Sequence, residues 1–415
     1  MIRFIHTADL HLDSPFKGLQ TLHPTLFEQI YQAGFHSFQN VVETAITKQV
    51  DFVLISGDIY DEENQSVKAQ AFFRDQMKKL EAHQIPVFLS HGNHDFMGRE
   101  SLRIQMPDNV TIFGIEPETY ELTTKEQEQV AITGFSYPTR WVKERMINRY
   151  PNRNQTADYH IGMLHGYLED SKSKEAVYAP FSLDELLSRH YNYWALGHIH
   201  KQSILHDEPP ILYSGNIQGR NPNEIGEKGA YLVTLEKGSA SEVDFFSTAP
   251  IIWLERTVSL KGISQLSGLF AKLEKEMESV ANEKVDILLS IQFSDYEELS
   301  KELMSRIQSG DLLEGVNHTD RQPFVYLYRL TLLPKKNQLL FSYDLDMQTS
   351  FEKSKAELSQ DNQYQEVLQD LFKHSLIRSR FSDLEQDEEL KQAIIDGAEN
   401  LLMSDIAFEE GEEEQ

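Results

Sequence analysis

Short clusters of aspartate, asparagine and histidine recur through the first 200 residues of this sequence. Five of them follow one another in the chain: Asp9-Leu10-His11, Gly57-Asp58-Ile59-Tyr60-Asp61, Gly92-Asn93-His94-Asp95, His165-Gly166 and Gly197-His198-Ile199-His200. A single cluster of this kind is a weak signal, because such short combinations occur by chance. Together the five supply carboxylate, amide and imidazole groups, which suit Mn, Fe or Zn better than Ca or Mg.

A pair of divalent cations would need this many ligands. Two cations about 3.5–4 Å apart can neutralise phosphate oxygens and generate hydroxide near neutral pH, the two requirements for hydrolysing a phosphate ester. Two neighbouring cations need at least one bridging carboxylate, and Asp58 is placed for that role. Glycine beside a ligand lets the backbone turn sharply and approach the metals. The residue types therefore predict a dinuclear phosphoesterase site.

The clusters follow runs of residues that predict buried strands. These apolar or β-branched runs are residues 3–7, 51–55, 86–89, 130–133, 160–164, 193–196 and 211–213. Helical periodicity at 25–48 and 66–83 separates some of them. Strands alternating with helices predict an α/β layered domain, in which sheets are flanked by helices and ligands collect beyond the carboxyl ends of the strands. Five of the predicted strands end in one of the clusters.

The sequence changes character after residue 250. Beyond it, the patterns predict strands at 252–260, 285–293 and 324–333 and helices at 263–280 and 296–308. We therefore expect three parts: a catalytic domain at 1–250, a small α/β capping domain at 251–335, and a helical, acidic C-terminal region at 336–415. The last residues, 409–415, are acidic enough to predict disorder.

The composition is that of a globular protein of 415 residues without cysteine. The absence of cysteine excludes disulfides and thiolate metal ligands, and it suits a cytoplasmic protein. The sequence has no apolar run long enough to span a membrane, and the apolar start at residues 1–5 is too short for a secretory signal. We expect a soluble, cytoplasmic protein that does not bind membranes.

The formal net charge of −27 argues against extended contact with nucleic acid, which attracts basic surfaces. The charge is uneven, however: residues 381–415 hold thirteen acidic residues and one cation, Lys391, so this segment alone contributes −12. A divalent metal pair would add about +4 where a phosphate must bind. The net charge therefore does not exclude a phosphodiester substrate.

The series of motifs resembles the calcineurin-like metallophosphoesterase superfamily. Within it, His6-Thr7-Ala8-Asp9-Leu10-His11-Leu12 and Ala195-Leu196-Gly197-His198-Ile199-His200 resemble the DNA-repair exonuclease branch that includes bacterial SbcD. The start His11-Leu12-Asp13-Ser14-Pro15-Phe16 is similar to the YhaO subgroup of that branch. The motifs cover roughly residues 1–250, and beyond them the resemblance rests on domain order alone.

The resemblance implies a role for each residue of the site. One metal would be held by Asp9, His11, Asp58 and His200, and the other by Asp58, Asn93, His165 and His198, with Asp58 bridging. His94 would not be a ligand; it would face the phosphate and stabilise the transition state or protonate the leaving oxygen. Asp95 would orient His94 by a hydrogen bond.

The resemblance also implies a two-metal phosphodiesterase that degrades DNA ends 3′ to 5′ in DNA repair. Manganese is the expected metal, with Fe, Zn and Mg as alternatives. The implied partners are DNA and an SbcC-like coiled-coil ATPase, and homodimers are common in the family. Two alternatives stay open: a phosphatase or cyclic-nucleotide phosphodiesterase on the same scaffold, and a non-catalytic subunit that tethers an ATPase.

Residues beside the motifs have competing interpretations. His6 and His91 are predicted to point away from the site and to be buried structural residues. Asp61 could support the metal ligands or could cap a helix that begins near residue 62.

Cationic and apolar segments outside the motifs could contact larger partners. The basic stretch from Arg140 to Arg153 could follow a nucleic-acid backbone or form a solvated helix face. Arg99 and Arg220 could reach substrate phosphates. An apolar stripe at 367–376 could dock on the ATPase partner or pack within this protein.

Overall fold

The computed structural model describes residues 1–14, 16, 24–61, 66–97, 104–169, 178–281, 284–317, 323–333, 345–369, 391–392, 394–395 and 397–398. The chain divides into two compact units, Met1–Thr331 and Leu332–Gln415. The predicted boundary at residue 250 lies inside the first unit, and the three-part division stays a prediction.

A mixed six-stranded sheet carries the first three motifs. Its order is β12-β11-β1-β2-β3-β4, in which β1 to β4 are mutually parallel while β11 runs antiparallel to both β1 and β12. The strands are β1 (Ile2–Thr7), β2 (Phe52–Ser56), β3 (Val87–Ser90), β4 (Val110–Ile112), β11 (Gly229–Leu235) and β12 (Glu242–Ser247). Because β1, β2 and β3 are parallel, their carboxyl ends and the motifs that follow them share one edge.

A second six-stranded sheet carries the other two motifs. Its order is β5-β6-β7-β8-β10-β9, with four parallel central strands and antiparallel strands at both edges. The strands are β5 (Glu118–Thr123), β6 (Gln129–Gly134), β7 (Tyr159–His165), β8 (Tyr193–Gly197), β9 (Ser203–Asp207) and β10 (Pro210–Tyr213). Its motifs therefore also lie at the carboxyl ends of adjacent parallel strands, β7 and β8.

The two sheets pack face to face because their strands alternate inward and outward residues. Phe4, Phe52 and Leu54 lie in the core between the sheets, whereas Ile5 and Val53 lie in the core on the helix side of the first sheet. The ring of Phe4 stacks on that of Phe52 at 4.9 Å. The central strands, such as β2, β7 and β8, are thus buried on both faces, as the apolar runs predict.

Helices cover the outer face of the first sheet. They are α1 (Pro24–Lys48) and α2 (Val67–Ala82), whose Ser66 side chain accepts the Ala69 N–H as an N-cap. A short helix, α3 (Leu183–Leu187), begins with a capping box and packs on the second sheet with a 3₁₀ turn at Met146–Arg149. The α/β sandwich of sheets flanked by helices is therefore confirmed.

A three-stranded sheet follows in the order β13-β14-β15. Its elements are β13 (Ile251–Ser259), α4 (Leu266–Val280), β14 (Asp286–Ser294), α5 (Lys301–Ser309), α6 (Asp311–Val316) and β15 (Val325–Leu332). Trp253 anchors it to the rest of the unit, because its Nε1–H donates to the Gly219 carbonyl at 2.9 Å and its ring lies in a core shared with Ile30 of α1.

The second unit contains α7 (Leu345–Leu358) and α8 (Asp361–Val367). Lys391 Nζ lies 5.7 Å from the ring centre of Tyr364, a cation–π contact within this unit. Most of the apolar stripe at 367–376 and the whole acidic tail at 409–415 fall outside the described residues. None of the helices described in either unit is both long and apolar enough to cross a membrane.

We predict that Phe52→Ala destabilises the sandwich by about 3–5 kcal/mol, because it opens a cavity between the sheets that the stacked Phe4 ring cannot fill. Urea unfolding followed by circular dichroism measures the shift. Ile204→Ala, at an exposed position in β9, is the matched control and should change stability by less than about 0.5 kcal/mol. Equal effects of the two substitutions would contradict a tightly packed core between the sheets.

Candidate metal centre

The two sheets meet at the edge where all five motifs lie. Ser56, the last residue of β2, joins them: its hydroxyl donates to the Ala195 carbonyl at 3.1 Å, and its carbonyl accepts from His165 Nδ1–H at 3.0 Å. Since Nδ1 carries the proton in that bond, the lone pair of His165 Nε2 is free and faces Asn93 Oδ1 at 2.9 Å. The sheet junction therefore sets the orientation of one predicted ligand.

Four of the predicted ligands have left-handed backbone conformations, which are uncommon outside glycine. Their φ angles are 49° at Asp9, 42° at His11, 51° at Asp58 and 101° at His198. Backbone hydrogen bonds hold two of these turns, from Asp9 N–H to the Gly57 carbonyl at 3.1 Å and from His11 N–H to the Asp58 carbonyl at 3.0 Å. Strain of this kind, about 1–3 kcal/mol per residue, clusters at functional sites.

Asp58 lies between the two halves of the cluster. Its Oδ2 is 3.4 Å from His165 Nε2 and 3.9 Å from His11 Nε2, while its Oδ1 accepts the His94 N–H at 2.9 Å. Only 1% of Asp58 is exposed. Asp58 therefore lies between His165 and His11, which are predicted to hold different cations. This is the position that a bridging ligand needs.

The other predicted ligands form two sets of contacts, one around His198 and one between His11 and His200. Asn93 Oδ1 is 3.1 Å from His198 Nδ1, and both carboxylate oxygens of Asp9 accept the His198 N–H at 3.1 Å. His11 and His200 approach with their Nε2 atoms 3.1 Å apart. All seven predicted ligands are therefore brought together, and three sets of their side chains and His94 have ligand atoms within 4.8 Å of one another: Asp9, His11 and His200; His11, Asp58 and His94; Asp9, Asp58 and His165.

The electrostatics of the cluster favour cations. Asp9 and Asp58 are 0% and 1% exposed, and two buried carboxylates are costly unless positive charge compensates them. Burial and the Asp58 charge raise the pKa of Asp9 well above its ordinary value. Burial also opposes ionisation of Asp58, but the imidazoles of His165, His94 and His11 hold its pKa below the ordinary value.

The histidines are prepared as neutral ligands. Burial lowers the pKa of His198 to about 3 and lowers the pKa values of His11 and His200. Metal binding requires the deprotonated imidazole, so burial favours the form that coordinates. Neutral imidazoles, buried carboxylates and an amide oxygen fit divalent Mn, Fe or Zn.

Glycines leave the room that the cluster needs. A Cβ on Gly92 would lie 2.2 Å from Asp58 Oδ1, and one on Gly57 would lie 2.2 Å from His165 Nδ1. A Cβ on Gly197 would lie 1.9 Å from the Ser56 carbonyl oxygen, at the sheet junction. At these three positions the backbone lies so close to Asp58, His165 or the Ser56 carbonyl that only glycine fits.

His94 is oriented differently from the prediction. Its Nδ1–H donates to the backbone carbonyl of Asp61 at 2.8 Å. Asp95 was expected to orient His94, but its hydrogen bonds in the described structure go elsewhere: it accepts the Gly92 N–H at 2.7 Å and the Ile59 N–H at 2.9 Å. Asp95, which is 1% exposed, thus ties the second motif to the third and shapes the loop that presents His94.

The structure decides between the competing interpretations of the residues beside the motifs. His6 is fully buried and contacts Tyr193 Oη and the Leu196 carbonyl, and buried His91 lies 3.2 Å from Asp95, so their structural roles are confirmed. The helix-cap role for Asp61 is wrong, since α2 begins at Val67 with Ser66 as its cap. Asp61 Oδ1 instead lies 3.3 Å from His11 Nδ1, beside a predicted ligand.

Two of the five cations in the basic stretch, Arg145 and Arg149, are paired with acidic side chains. Arg145 forms ion pairs with Glu185 and Glu169, and Arg149 forms ion pairs with Glu116 and Glu144. The helical part of the stretch is the 3₁₀ turn at Met146–Arg149, and contact of the stretch with nucleic acid stays a prediction. Arg99 lies outside the described residues.

Glu224 was not among the predicted site residues, and its Oε1 accepts from His200 Nδ1–H at 2.8 Å. Lys228 was also not predicted, and its Nζ donates to the His200 carbonyl at 3.0 Å. Arg220, for which contact with substrate phosphates was one possibility, forms ion pairs with Asp61 and Glu224. A signal for this loop was available: β10 is parallel to β8, so residues after it emerge at the same edge.

Comparison with known proteins yields similar sequences across the catalytic region. The calcineurin-like phosphoesterase family matches residues 2–202. The uncharacterised metallophosphoesterase YhaO of Bacillus subtilis is 40% identical over 275 residues, 66% of this chain and 67% of that protein. The DNA double-strand break repair proteins Mre11 of Thermoplasma acidophilum and Methanocaldococcus jannaschii are 26% and 28% identical, over 58% and 55% of this chain. Those alignments span 63% and 62% of the Mre11 proteins, less than two thirds of their length.

We predict that Gly92→Ala lowers the manganese retained after dialysis at least about tenfold, because the new Cβ must displace the Asp58 carboxylate. Elemental analysis measures retained metal, and circular dichroism checks the fold. Gly34→Ala, in α1 with no atom within 4 Å of the new Cβ, should retain wild-type metal. Wild-type retention by Gly92→Ala would show that Asp58 is not a ligand.

Proposed function

Because the chain belongs to the calcineurin-like metallophosphoesterase family, we propose that it is a two-metal phosphodiesterase that cleaves DNA as an exonuclease. The observation that carries the proposal is the convergence of seven candidate ligands, with buried Asp58 at their centre and His94 beside them. The family's fold uses a dinuclear site, and this chain has side chains for both halves of one.

We assign Asp9, His11, Asp58 and His200 to one cation and Asp58, Asn93, His165 and His198 to the other. When bound, two such cations neutralise phosphate oxygens and make a water-derived nucleophile available near neutral pH. Manganese is the metal we propose, since the ligand set mixes imidazole with oxygen donors. The protein's own part is to fix these donors at strand ends and to exclude competing water by burial.

His94 is proposed to act on the leaving group. Its Nδ1–H is engaged by the Asp61 carbonyl, which accepts only, so Nε2 is the atom available to substrate. When His94 is protonated, Nε2–H can donate to a phosphate oxygen and then to the leaving oxygen of the ester. Asp95 supports this indirectly, since it holds the loop on which His94 lies.

A DNA substrate is supported by the Mre11 proteins named for DNA double-strand break repair, which share about a quarter of the aligned residues. The acidic charge does not exclude this, because 12 of the 27 net negative charges lie in residues 381–415. We propose degradation of DNA ends 3′ to 5′ in a cytoplasmic repair pathway.

A coiled-coil ATPase of the SbcC type is the proposed partner, and the helices of the C-terminal region are its proposed contact. Homodimerisation is proposed from family resemblance alone. Neither partner is needed for the chemistry assigned to the metal centre, so the nuclease test below uses the protein by itself.

We predict that the wild-type protein degrades end-labelled linear duplex DNA with MnCl₂, and that His94→Gln and Asp58→Asn each reduce the rate at least about 100-fold. His94→Gln should retain manganese while Asp58→Asn loses it, because only Asp58 is a proposed ligand. His36→Gln, an exposed histidine of α1, is the control and should cleave like wild type.

Two model substrates separate the rival enzymes. Hydrolysis of bis-nitrophenyl phosphate without DNA cleavage would replace the nuclease proposal with a different phosphodiesterase. Preference for the mono ester would favour a phosphatase, and no turnover of any substrate by manganese-loaded protein would favour the tethering subunit.

A further inference from the structure

The loop after β10 surrounds His200 with charged side chains that the proposed chemistry does not use. Glu224 and Arg220 have side chains only 10% and 15% exposed. Glu224 Oε2 accepts from Asn216 Nδ2 and from the Arg220 backbone N–H, each at 2.7 Å. Its other oxygen, Oε1, is directed at His200. This carboxylate is held on both oxygens, so it can hold an imidazole in place.

The hydrogen bond between Glu224 and His200 determines which ring nitrogen is free. An ionised carboxylate only accepts, so the proton in the 2.8 Å contact belongs to His200 Nδ1, and the longer 3.3 Å approach of Arg220 Nη2 to the same nitrogen is a contact between two donors. Nε2 then keeps its lone pair, and it faces His11 Nε2 at 3.1 Å. Glu224 thus turns the coordinating nitrogen of His200 towards the site.

His11 lies beside a second carboxylate, without a hydrogen bond to it in the described structure. Its Nδ1 lies 3.3 Å from Asp61 Oδ1, on the side of the ring away from His200. One guanidinium connects the two carboxylates: Arg220 Nη1 is paired with Asp61, and Nη2 lies 3.6 Å from Glu224 Oε1. The planar fork of arginine suits this double contact, which a lysine could not reproduce.

We propose that Asp61, Arg220 and Glu224 form a positioning clamp for one of the two cations. The proposal rests on the metal assignment above, in which His11 and His200 share a cation. The clamp acts on that cation alone, because His165, a proposed ligand of the other cation, is oriented by the Ser56 carbonyl. Carboxylates that orient ligand imidazoles typically contribute 10–100-fold to metal affinity.

Titration of metal-free protein with MnCl₂, with free Mn²⁺ followed by electron paramagnetic resonance, tests the clamp without substrate. Glu224→Ala should weaken one of two bound equivalents by about 10–100-fold and leave the other unchanged. Glu224→Gln should weaken that equivalent less, because its amide oxygen still accepts from His200. Arg220→Lys, which keeps the charge and loses the fork, should also weaken it.

Glu185→Ala is the matched control, since it removes a carboxylate from another arginine pair, Arg145–Glu185, outside the clamp. It should bind both equivalents as wild type does. Thermal unfolding in EDTA checks that each variant folds. If Glu224→Ala does not fold, Glu224→Gln is the variant compared with wild type. Wild-type affinity for both equivalents in the Glu224 and Arg220 variants, or equal weakening of both, would overturn the clamp.

The outcome is independent of the nuclease assay. If DNA is not cleaved but one equivalent is weakened selectively, the clamp stands and the substrate proposal fails. A wild-type protein that binds only one equivalent would overturn the metal assignment and the clamp with it.

Discussion

The burial of two carboxylates among imidazoles is the constraint on which the rest of this structure depends. Asp9 and Asp58 are almost fully excluded from water, and their negative charge has no lysine or arginine in direct contact in the described structure. Such an arrangement is costly for the polypeptide alone and favourable once cations bind. The strained turns and close glycines follow from the same need, because each brings a donor closer to a common point.

The sandwich of two sheets is what makes that concentration of donors possible. Parallel strands deliver Asp9, Asp58 and Asn93 from one sheet and His165 and His198 from the other. Ser56 joins the sheets where the ligands meet, so packing between the sheets and geometry of the site are coupled. A pocket of about 240 Å³ lies beside the second motif, lined mainly by apolar residues such as Ile59, Phe73 and Met106.

Much of this was predictable from the sequence because strand runs and motifs each carry a local signal. The seven predicted strands before residue 250 match observed strands to within one residue at each end, and α1 and α2 match equally well. Strands β4, β5, β9, β11 and β12 were not predicted, and β11 was missed although it lies beside β1 and its burial is nearly complete. Helix α5 begins at Lys301 and not at 296, because Ser300 provides the cap.

The side-chain network around the ligands was harder to predict, because it depends on contacts between residues far apart in the chain. Glu224 meets His200, and Arg220 meets Asp61 across 159 positions. Asp95 was assigned to His94 from the family resemblance, yet tertiary structure gives it the backbone of Ile59 as a partner. Ligand types follow from local motifs, whereas the groups that orient the ligands follow from the fold.

The most direct measurement is an anomalous difference map from crystals grown with MnCl₂ and measured at the manganese edge. A bridged dinuclear centre predicts two peaks about 3.5–4 Å apart, one on each side of the Asp58 carboxylate. A single peak, or two peaks that do not share Asp58 as a ligand, would contradict the dinuclear centre.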